Sequence, residues 1–395
     1  MMAPEQKRDK DNGGVIRQTP FDEMIDGDST YKGFCCTFMM FIGMYLFKLG
    51  WEYQLQYGHL PDDLIQILGL DLGCIARMEI LMYLGMFTSF SVVSLVKVDL
   101  LNWYYSGWTF MALYELFYLF SFNYLVRRCE WITRALIFLH SCAQVMKIHS
   151  YAFTLGSSAH QQRVTLRDFF MYTMYPTLVY ETNFVRTSRV RLGYLIKRIF
   201  LILVMLYSLV IVIDCSMGPI VTEIVQTPVV SATTVITNIL KLFPSMFLLC
   251  CLAFYLVWEC LLNVIAELTY FADRDFYKDW WNSGSILEFC NTWNRSVHKF
   301  LKRHVYLPTV RQFNGNKFYG IVAVFLLSGL VHELALFVIF QRPKTHFILL
   351  FMSQLPVIMV QSPQWTRSNR MVANFLFSVY IVLGPSFLTV MYHMC

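Results

Sequence analysis

An all-α polytopic membrane protein is the fold class that the sequence predicts, and three observations carry the prediction. Of the 395 residues, 56% are hydrophobic and only 15% are charged, whereas a soluble domain carries about 25% charged residues. The apolar residues gather into long windows, several close to the ~20 residues that a helical span needs. The lysines and arginines between those windows are spread unevenly, as a membrane orientation requires.

Taken in order, residues 1–32 are polar, with Lys7-Arg8-Asp9-Lys10 near the start. They read as a solvated, flexible cytosolic tail ahead of a membrane domain over 33–395. No short apolar core with a cleavage site follows, so the first apolar helix is expected to be a retained signal-anchor. The windows are 33–49, 80–96, 108–125, 131–146, 199–214, 242–263, 318–340, 346–361 and 371–392. They predict nine spans, the shorter ones tilted or partly buried against neighbours. Residues 168–180 form a re-entrant or interfacial candidate, and Gly384-Pro385 predicts a kink in the last span.

With the N-terminus in the cytosol and nine alternating spans, the cytosolic segments hold 24 of the 32 basic residues. Five lie in the tail, one is Lys97, eight fall in 147–198, eight in 264–317 and two in 362–370. The connection 215–240 has none. This asymmetry places 264–317 on the cytosolic face, so the sequon Asn294-Arg295-Ser296 is expected to stay unglycosylated. The net charge of +6 is accounted for by loops facing anionic lipid rather than by nucleic acid.

The eleven cysteines show no metal spacing. Neighbours such as Cys35-Cys36 and Cys250-Cys251 sit in apolar runs and read as packing thiols. The sequence has no nucleophile elbow, no P-loop and no HExxH, and His332-Glu333 lacks the second histidine that zinc would want. No internal repeat points to a transporter's related halves.

The chemistry concentrates between residues 276 and 333. Residues 286–305 have helical spacing, with Ile286, Phe289, Trp293, Val297, Phe300 and Leu301 on one face and Asn291, Asn294, His298, Lys299 and Lys302 largely opposite. One reading is an amphipathic helix lying on the membrane. Another notes that residues 273–317 carry eight Lys/Arg against four Asp/Glu beside Trp280 and Trp281. Cations and aromatic planes of that kind suit a nucleotide-phosphate ligand such as coenzyme A. Beyond it, His332 lies in an apolar run with Ser328 one turn before it. An ionisable side chain in hydrocarbon is costly as a charge and faces a cavity or a partner. His332 is therefore either a neutral general base or a structural histidine. Glu115, Glu259 and Glu267 are further intramembrane carboxylates, for which pairing is the expected role.

Phe276-Tyr277-Lys278-Asp279-Trp280-Trp281-Asn282, followed by Thr292-Trp293-Asn294 and His332-Glu333, resembles the membrane-bound O-acyltransferase superfamily and its sterol and diacylglycerol branch. The first phrase matches that branch's FYxDWWN signature. Pro176-Thr177-Leu178-Val179-Tyr180 with Arg186-Thr187 resembles a PTLxY…PRT block, with Val185 where proline is usual. Lys147-Ile148-His149-Ser150-Tyr151-Ala152-Phe153 is similar to a KxHSxxF segment of sterol acyltransferases. Phe271-Ala272-Asp273-Arg274 and His332-Glu333-Leu334-Ala335 resemble the fungal sterol enzymes. Val297-His298-Lys299-Phe300 with Arg303-His304 also fits diacylglycerol acyltransferases.

The resemblance implies a membrane fold with an intramembrane reaction chamber, and acyl transfer from fatty acyl-CoA to a sterol 3-hydroxyl, or alternatively to diacylglycerol. It implies His332 as the base and Asn294 as the group that orients the reactants or meets the oxyanion. It places acyl-CoA contacts on Trp280, Trp281, Asn282, Glu288 (where an amide is common), Asn291, His298, Tyr306, Lys317 and Ser328. Acyl-CoA enters as co-substrate, with no metal and no resident cofactor. It further implies the endoplasmic reticulum membrane and a homodimer or homotetramer. A polytopic transporter with His332 lining its path is the rival from another class.

Overall fold

In a computed structural model, the described residues are 19–26, 32–59, 71–157, 164–226, 231–342, 345–361 and 363–394. They form helices α1 (Pro20–Asp26), α2 (Lys32–Tyr57), α3 (Leu72–Lys97), α4 (Trp108–Leu125), α5 (Trp131–Gly156), α6 (Leu166–Met174), α7 (Leu192–Val212), α8 (Gly218–Gln226) and α9 (Ala232–Phe254). These are followed by α10 (Leu262–Leu268), α11 (Ile286–Thr292), α12 (Arg295–Leu301), α13 (Leu307–Gln312), α14 (Lys317–Phe340), α15 (His346–Val360), α16 (Pro363–Ser368) and α17 (Arg370–Met394). Among the described residues the only strand-like pairing is an isolated bridge between Arg186 and Phe271.

Each of the nine apolar windows lies on a helix. Five stretches are long and apolar enough to cross a membrane: Leu72–Lys97, Leu192–Gln226, Ala232–Leu268, Lys317–Phe340 and Arg370–Tyr392. Two of them run through wide π-type turns, Ile213–Met217 and Tyr255–Leu261. Further wide turns lie at Trp103–Gly107 and Lys302–Tyr306. Each inserts a residue into the helical register and re-aims the side chains after it. Glu259 and His304 both stand in such turns. Helix α17 runs on through Gly384-Pro385.

The helix starts follow from local chemistry. Asp71 accepts from Cys74 N to open α3, Thr165 from Asp168 N to open α6, and Ser231 from Thr234 N to open α9. These side chains satisfy backbone N–H groups that the first turn leaves without partners. Helix α14 ends on Gln341, held at φ 57° in the left-handed region, with its N–H on Phe337 O.

The chain divides into two compact units. The first comprises residues 1–68, 185–295 and 358–395. Here α9 packs on α17 and α7, around Ile224, Leu242, Met246 and Val390. Its interior also holds a charge network. Arg198 Nη2 lies 2.6 Å from Glu259 and 2.5 Å from Asp22, while Glu267 takes Arg191 at 2.8 Å and Arg274 at 2.5 Å. Glu259 and Glu267 are fully buried. The guanidinium partners offset the desolvation that would otherwise forbid these carboxylates, so pairing is the role both take.

Within the stretch expected to be a solvated tail, Thr19–Asp26 is packed into the first unit. Thr19 is completely buried and donates to Glu259 Oε1 at 2.9 Å. Phe21 packs on Tyr255, Tyr277 and Trp281 at ring distances of 5.3, 6.3 and 5.5 Å. The physical reason is that a guanidinium has five N–H donors to satisfy, and Asp22 accepts from Arg198 beside Glu259. Residues 1–18 and 27–31 lie outside the described residues.

The second unit comprises residues 69–184 and 296–357. Helix α5 packs on α3, α4 and α14. Asn123 of α4 donates to Ser141 Oγ of α5 at 3.3 Å, and Tyr118 ties α4 to α3 by donating to Met82 O at 2.8 Å. Glu115 accepts from His149 Nδ1 at 3.0 Å. The buried Lys147 donates to the carbonyls of Tyr172, Thr173 and Tyr175 at 3.0, 3.1 and 2.5 Å, closing the C-terminal end of α6 where carbonyls lack helical partners.

Candidate active site

The signature phrase lies in the first unit. Phe276 and Tyr277 point inward, each 2% exposed, while Lys278, Asp279 and Asn282 are exposed. Tyr277 Oη donates to Glu259 Oε2 at 2.5 Å. Burial, and then the neighbouring Glu259 charge, raise the phenol's pKa above its ordinary range, so it stays a donor. Lys278 N donates to Thr292 O at 2.8 Å and Arg295 N to Phe276 O at 2.9 Å. The phrase is thereby laced to the end of α11 and the start of α12.

Trp280–Asn282 forms one 3-10 turn. Its carbonyls are held from α17, where Asn374 Nδ2 donates to Trp281 O and Ser283 O at 2.9 Å each and Arg370 Nη2 donates to Asn282 O at 2.5 Å. The tryptophan rings are engaged in packing. Trp280 lies 5.3 Å from Phe254 and 6.0 Å from Phe289, and Trp281 meets Phe21. Glu288 also takes a structural role, pairing with Arg370 at 2.7 and 2.9 Å and accepting from Gly284 N at 2.9 Å. The Arg370 hydrogen bond holds the Glu288 carboxyl below its ordinary range. Asn291 is exposed.

The single amphipathic helix expected over 286–305 is divided in the structure. Helix α11 stops at Thr292, α12 starts at Arg295, and the wide turn Lys302–Tyr306 follows. Asn294 stands half-buried at the first break. There the backbone turns to give Phe276 O the N–H of Arg295, a tertiary contact that side-chain periodicity does not report.

His298, Tyr306, Lys317, Ser328 and His332 belong to the second unit. His298 and Tyr306 are half-buried, and Lys317, which opens α14, is exposed. Tyr306 packs across Gly320, where a Cβ would meet its ring at 2.7 Å. Ser328 contributes its backbone. Its carbonyl lies 2.7 Å from His332 Nδ1. A carbonyl only accepts, so Nδ1 carries a proton, and in the neutral ring Nε2 carries the lone pair. The ring faces Phe351 at 4.8 Å and Phe347 at 5.9 Å, and the residue is exposed. The arrangement leaves Nε2 as the ring nitrogen that the helix carbonyl does not engage.

Glu333 is the residue that sequence reasoning missed. Its Oε2 accepts from Phe347 N at 2.8 Å and Ile348 N at 3.3 Å, fixing the N-terminal turn of α15 by its unpaired donors and its dipole. That turn carries Phe347, and Phe351 follows one turn later. Gly329 permits the approach, since a Cβ there would lie 3.2 Å from Ile348 Cα and Phe351 Cβ. The signal was the adjacency of Glu333 to His332, but nothing in the sequence says that a carboxylate will cap a helix beginning thirteen residues on.

The other family-like blocks of the second unit stitch its polar interior. Ser150 accepts from Tyr180 N at 2.8 Å and pairs with His304 Nε2 at 3.0 Å. Arg303 donates to Tyr180 O at 3.0 Å. Burial, then the charges of His149 and Arg303, push His304 down to about 3. It is a neutral structural ring.

A chain whose helices carry these motifs in this order defines a class, and the comparison with known families agrees. This chain belongs to the membrane-bound O-acyltransferase family, whose sequence profile matches residues 76–394. With its long apolar helices, it is a multi-pass membrane protein. It is similar to sterol O-acyltransferase 2 of Saccharomyces uvarum (29% identity, 92% of this chain, 66% of that protein). It is equally similar to sterol O-acyltransferase 1 of Saccharomyces cerevisiae (29%, 92% and 70%). Diacylglycerol O-acyltransferase 1C of Glycine max matches over a shorter stretch (31%, 58% and 45%). The chain spans about two thirds of the length of the sterol relatives.

Proposed function

We propose that this chain is a sterol O-acyltransferase, esterifying the 3-hydroxyl of a membrane sterol with a long-chain fatty acyl group from acyl-CoA. The observation that carries the reading is the His332 Nδ1–Ser328 carbonyl bond, which leaves Nε2 as a base in an apolar helix of a family member. The similarity to sterol relatives over 92% of the chain supports the acceptor.

In this mechanism Nε2 takes the hydroxyl proton as the sterol oxygen attacks the thioester carbonyl. Such a positioned base supplies about 10²–10⁴-fold. The carbonyl oxygen gains charge, and Asn294 orients the reactants or donates to that oxyanion. The C–S bond then breaks, and the imidazolium returns its proton to the coenzyme A sulfur, so no covalent acyl-enzyme is needed. The adenine nucleotide end carries several phosphate charges and stays at the cytosolic mouth among His298, Tyr306 and Lys317. The pantetheine arm and acyl chain enter an intramembrane chamber, and the sterol arrives from lipid.

All nine apolar windows are read as spans, including the four on α2, α4, α5 and α15, with the N-terminus in the cytosol. The membrane is that of the endoplasmic reticulum, and the assembly is a homodimer or homotetramer, to be measured by light scattering in detergent. Diacylglycerol is the second acceptor, favoured by the 31% identity to the Glycine max protein. The test is labelled oleoyl-CoA given to microsomes containing the protein, with sterol and diacylglycerol supplied side by side. Labelled sterol ester, lost in His332→Ala, is expected. Triacylglycerol without sterol ester would overturn the sterol reading.

A further inference from the structure

At the start of α3 and in the turn between α4 and α5, Cys74 Sγ and Cys129 Sγ lie 3.0 Å apart, although 55 residues separate them in sequence. Both backbones are held by bonds that do not involve sulfur. Asp71 accepts from Cys74 N at 2.7 Å and gives its own N–H to Thr133 Oγ1 of α5 at 3.3 Å. Cys129 N donates to Val126 O at 2.9 Å, and Thr133 and Val126 are completely buried. Reaching the ~2.05 Å of a bonded pair therefore needs about 1 Å of movement between two pinned positions.

We propose that Cys74 and Cys129 form a disulfide that fastens the start of α3 to the α4–α5 turn. The start of α3, the end of α4 and the start of α5 come together at one end of this helix group. The other end receives Lys97 and the eight basic residues of segment 147–198, against Arg77, Arg127, Arg128 and Arg134 near the cysteines. The positive-inside rule assigns that basic end to the cytosol and the cysteine end to the opposite, oxidising compartment. This step rests on the orientation given in the proposed function.

The chemistry balances through exchange with an oxidised dithiol protein. The Cys129 thiolate attacks one sulfur of the donor disulfide and expels a thiolate. The Cys74 thiolate then attacks the mixed disulfide at Cys129 and releases the second donor sulfur. Two electrons pass to the donor, which takes up the two protons shed here and leaves as the dithiol. Asp71 also approaches both sulfurs, the three ligand atoms lying within 4.8 Å of one another. Its carboxylate is already spent on the α3 cap, and a structural zinc asks for four ligands.

The test is peptide mapping of the full-length protein from microsomes quenched with N-ethylmaleimide. The expected result is one linked species containing Cys74 and Cys129, lighter by two hydrogens and alkylated only after dithiothreitol. Alkylation of either sulfur without reductant overturns the proposal, as does release of both by a chelator alone. In Cys129→Ser, Cys74 should become alkylatable. If that variant fails to fold, the wild-type map still decides. Acyl transfer is measured on the same microsomes. Free thiols with normal sterol ester formation remove the disulfide and leave the enzyme reading standing, whereas an intact disulfide without acyl transfer removes the enzyme reading.

Discussion

Alanine at position 332 is expected to lower ester formation by about 10²–10⁴-fold while the protein still folds, because the imidazole's hydrogen bond is to its own helix. Glu333→Gln should act differently. The amide oxygen keeps an acceptor for Phe347 N but loses the charge that favours a helix N-terminus, worth about 0.3–1 kcal/mol. Turnover should fall modestly with His332 intact, and Glu333→Ala should fall further, as compared by initial rates at saturating acyl-CoA. His304 provides a pH signature. Its folded value of about 3 lies below the ordinary ~6.5, so the unfolded chain binds the extra proton first. Stability is then present above pH ~6.5 and is lost as pH falls toward 3. Thermal melts at pH 5 and 7.5 should show that acid loss, and His304→Gln should shrink it. Glu288, held low by Arg370, adds a loss only at a more acid pH, below its ordinary ~4.3.

Between elements, the tightest approach near the candidate site is Gly320 under Tyr306 and Val310, where a Cβ would meet both at 2.7 Å. A ring and a branched side chain give way poorly in a close-packed interior. Gly320→Val should therefore cost about 1–3 kcal/mol and displace Tyr306, read as a lower melting temperature and a higher KM for acyl-CoA. The clamp from α17 makes the converse prediction. Asn374→Ala leaves the carbonyls of Trp281 and Ser283 without their amide donor, each such loss costing about 1–3 kcal/mol where the group is buried. The 3-10 turn should loosen, seen as faster hydrogen exchange over 280–283. Arg198→Met is the more severe change, since it strands Asp22 and Glu259. Removing one partner of a buried pair costs about 3–5 kcal/mol, and loss of the monodisperse peak in detergent chromatography is the expected result.

Across the whole molecule, what could be read in the sequence follows a physical line. Apolar windows report burial or lipid contact directly, so all nine fell on helices, and the ordered phrase at 276–282 identified the family. The wide turns at Tyr255–Leu261 and Lys302–Tyr306 left no mark, because one inserted residue barely perturbs a helical pattern. The break at Asn294 was hidden because it rests on a tertiary contact, Arg295 N to Phe276 O. Phe21 and Asp22 looked like parts of a polar tail because their partners, Tyr277, Trp281 and Arg198, are remote in the chain. Cys74 and Cys129 matched no spacing motif, since their pairing is made by antiparallel helices.

The Thr19–Glu259 hydrogen bond spans 240 positions. A ribosome adding about 5–20 residues per second needs roughly 10–50 s to cover that interval. During that time Thr19 has no acceptor, and Arg198, when it arrives, can pair with Asp22 but must wait for its glutamate. Maturation is thus a latch that only late synthesis can close. A pulse-chase with protease added at intervals should find the Thr19–Asp26 segment cleavable until the region around Glu259 has been made, and protected afterwards.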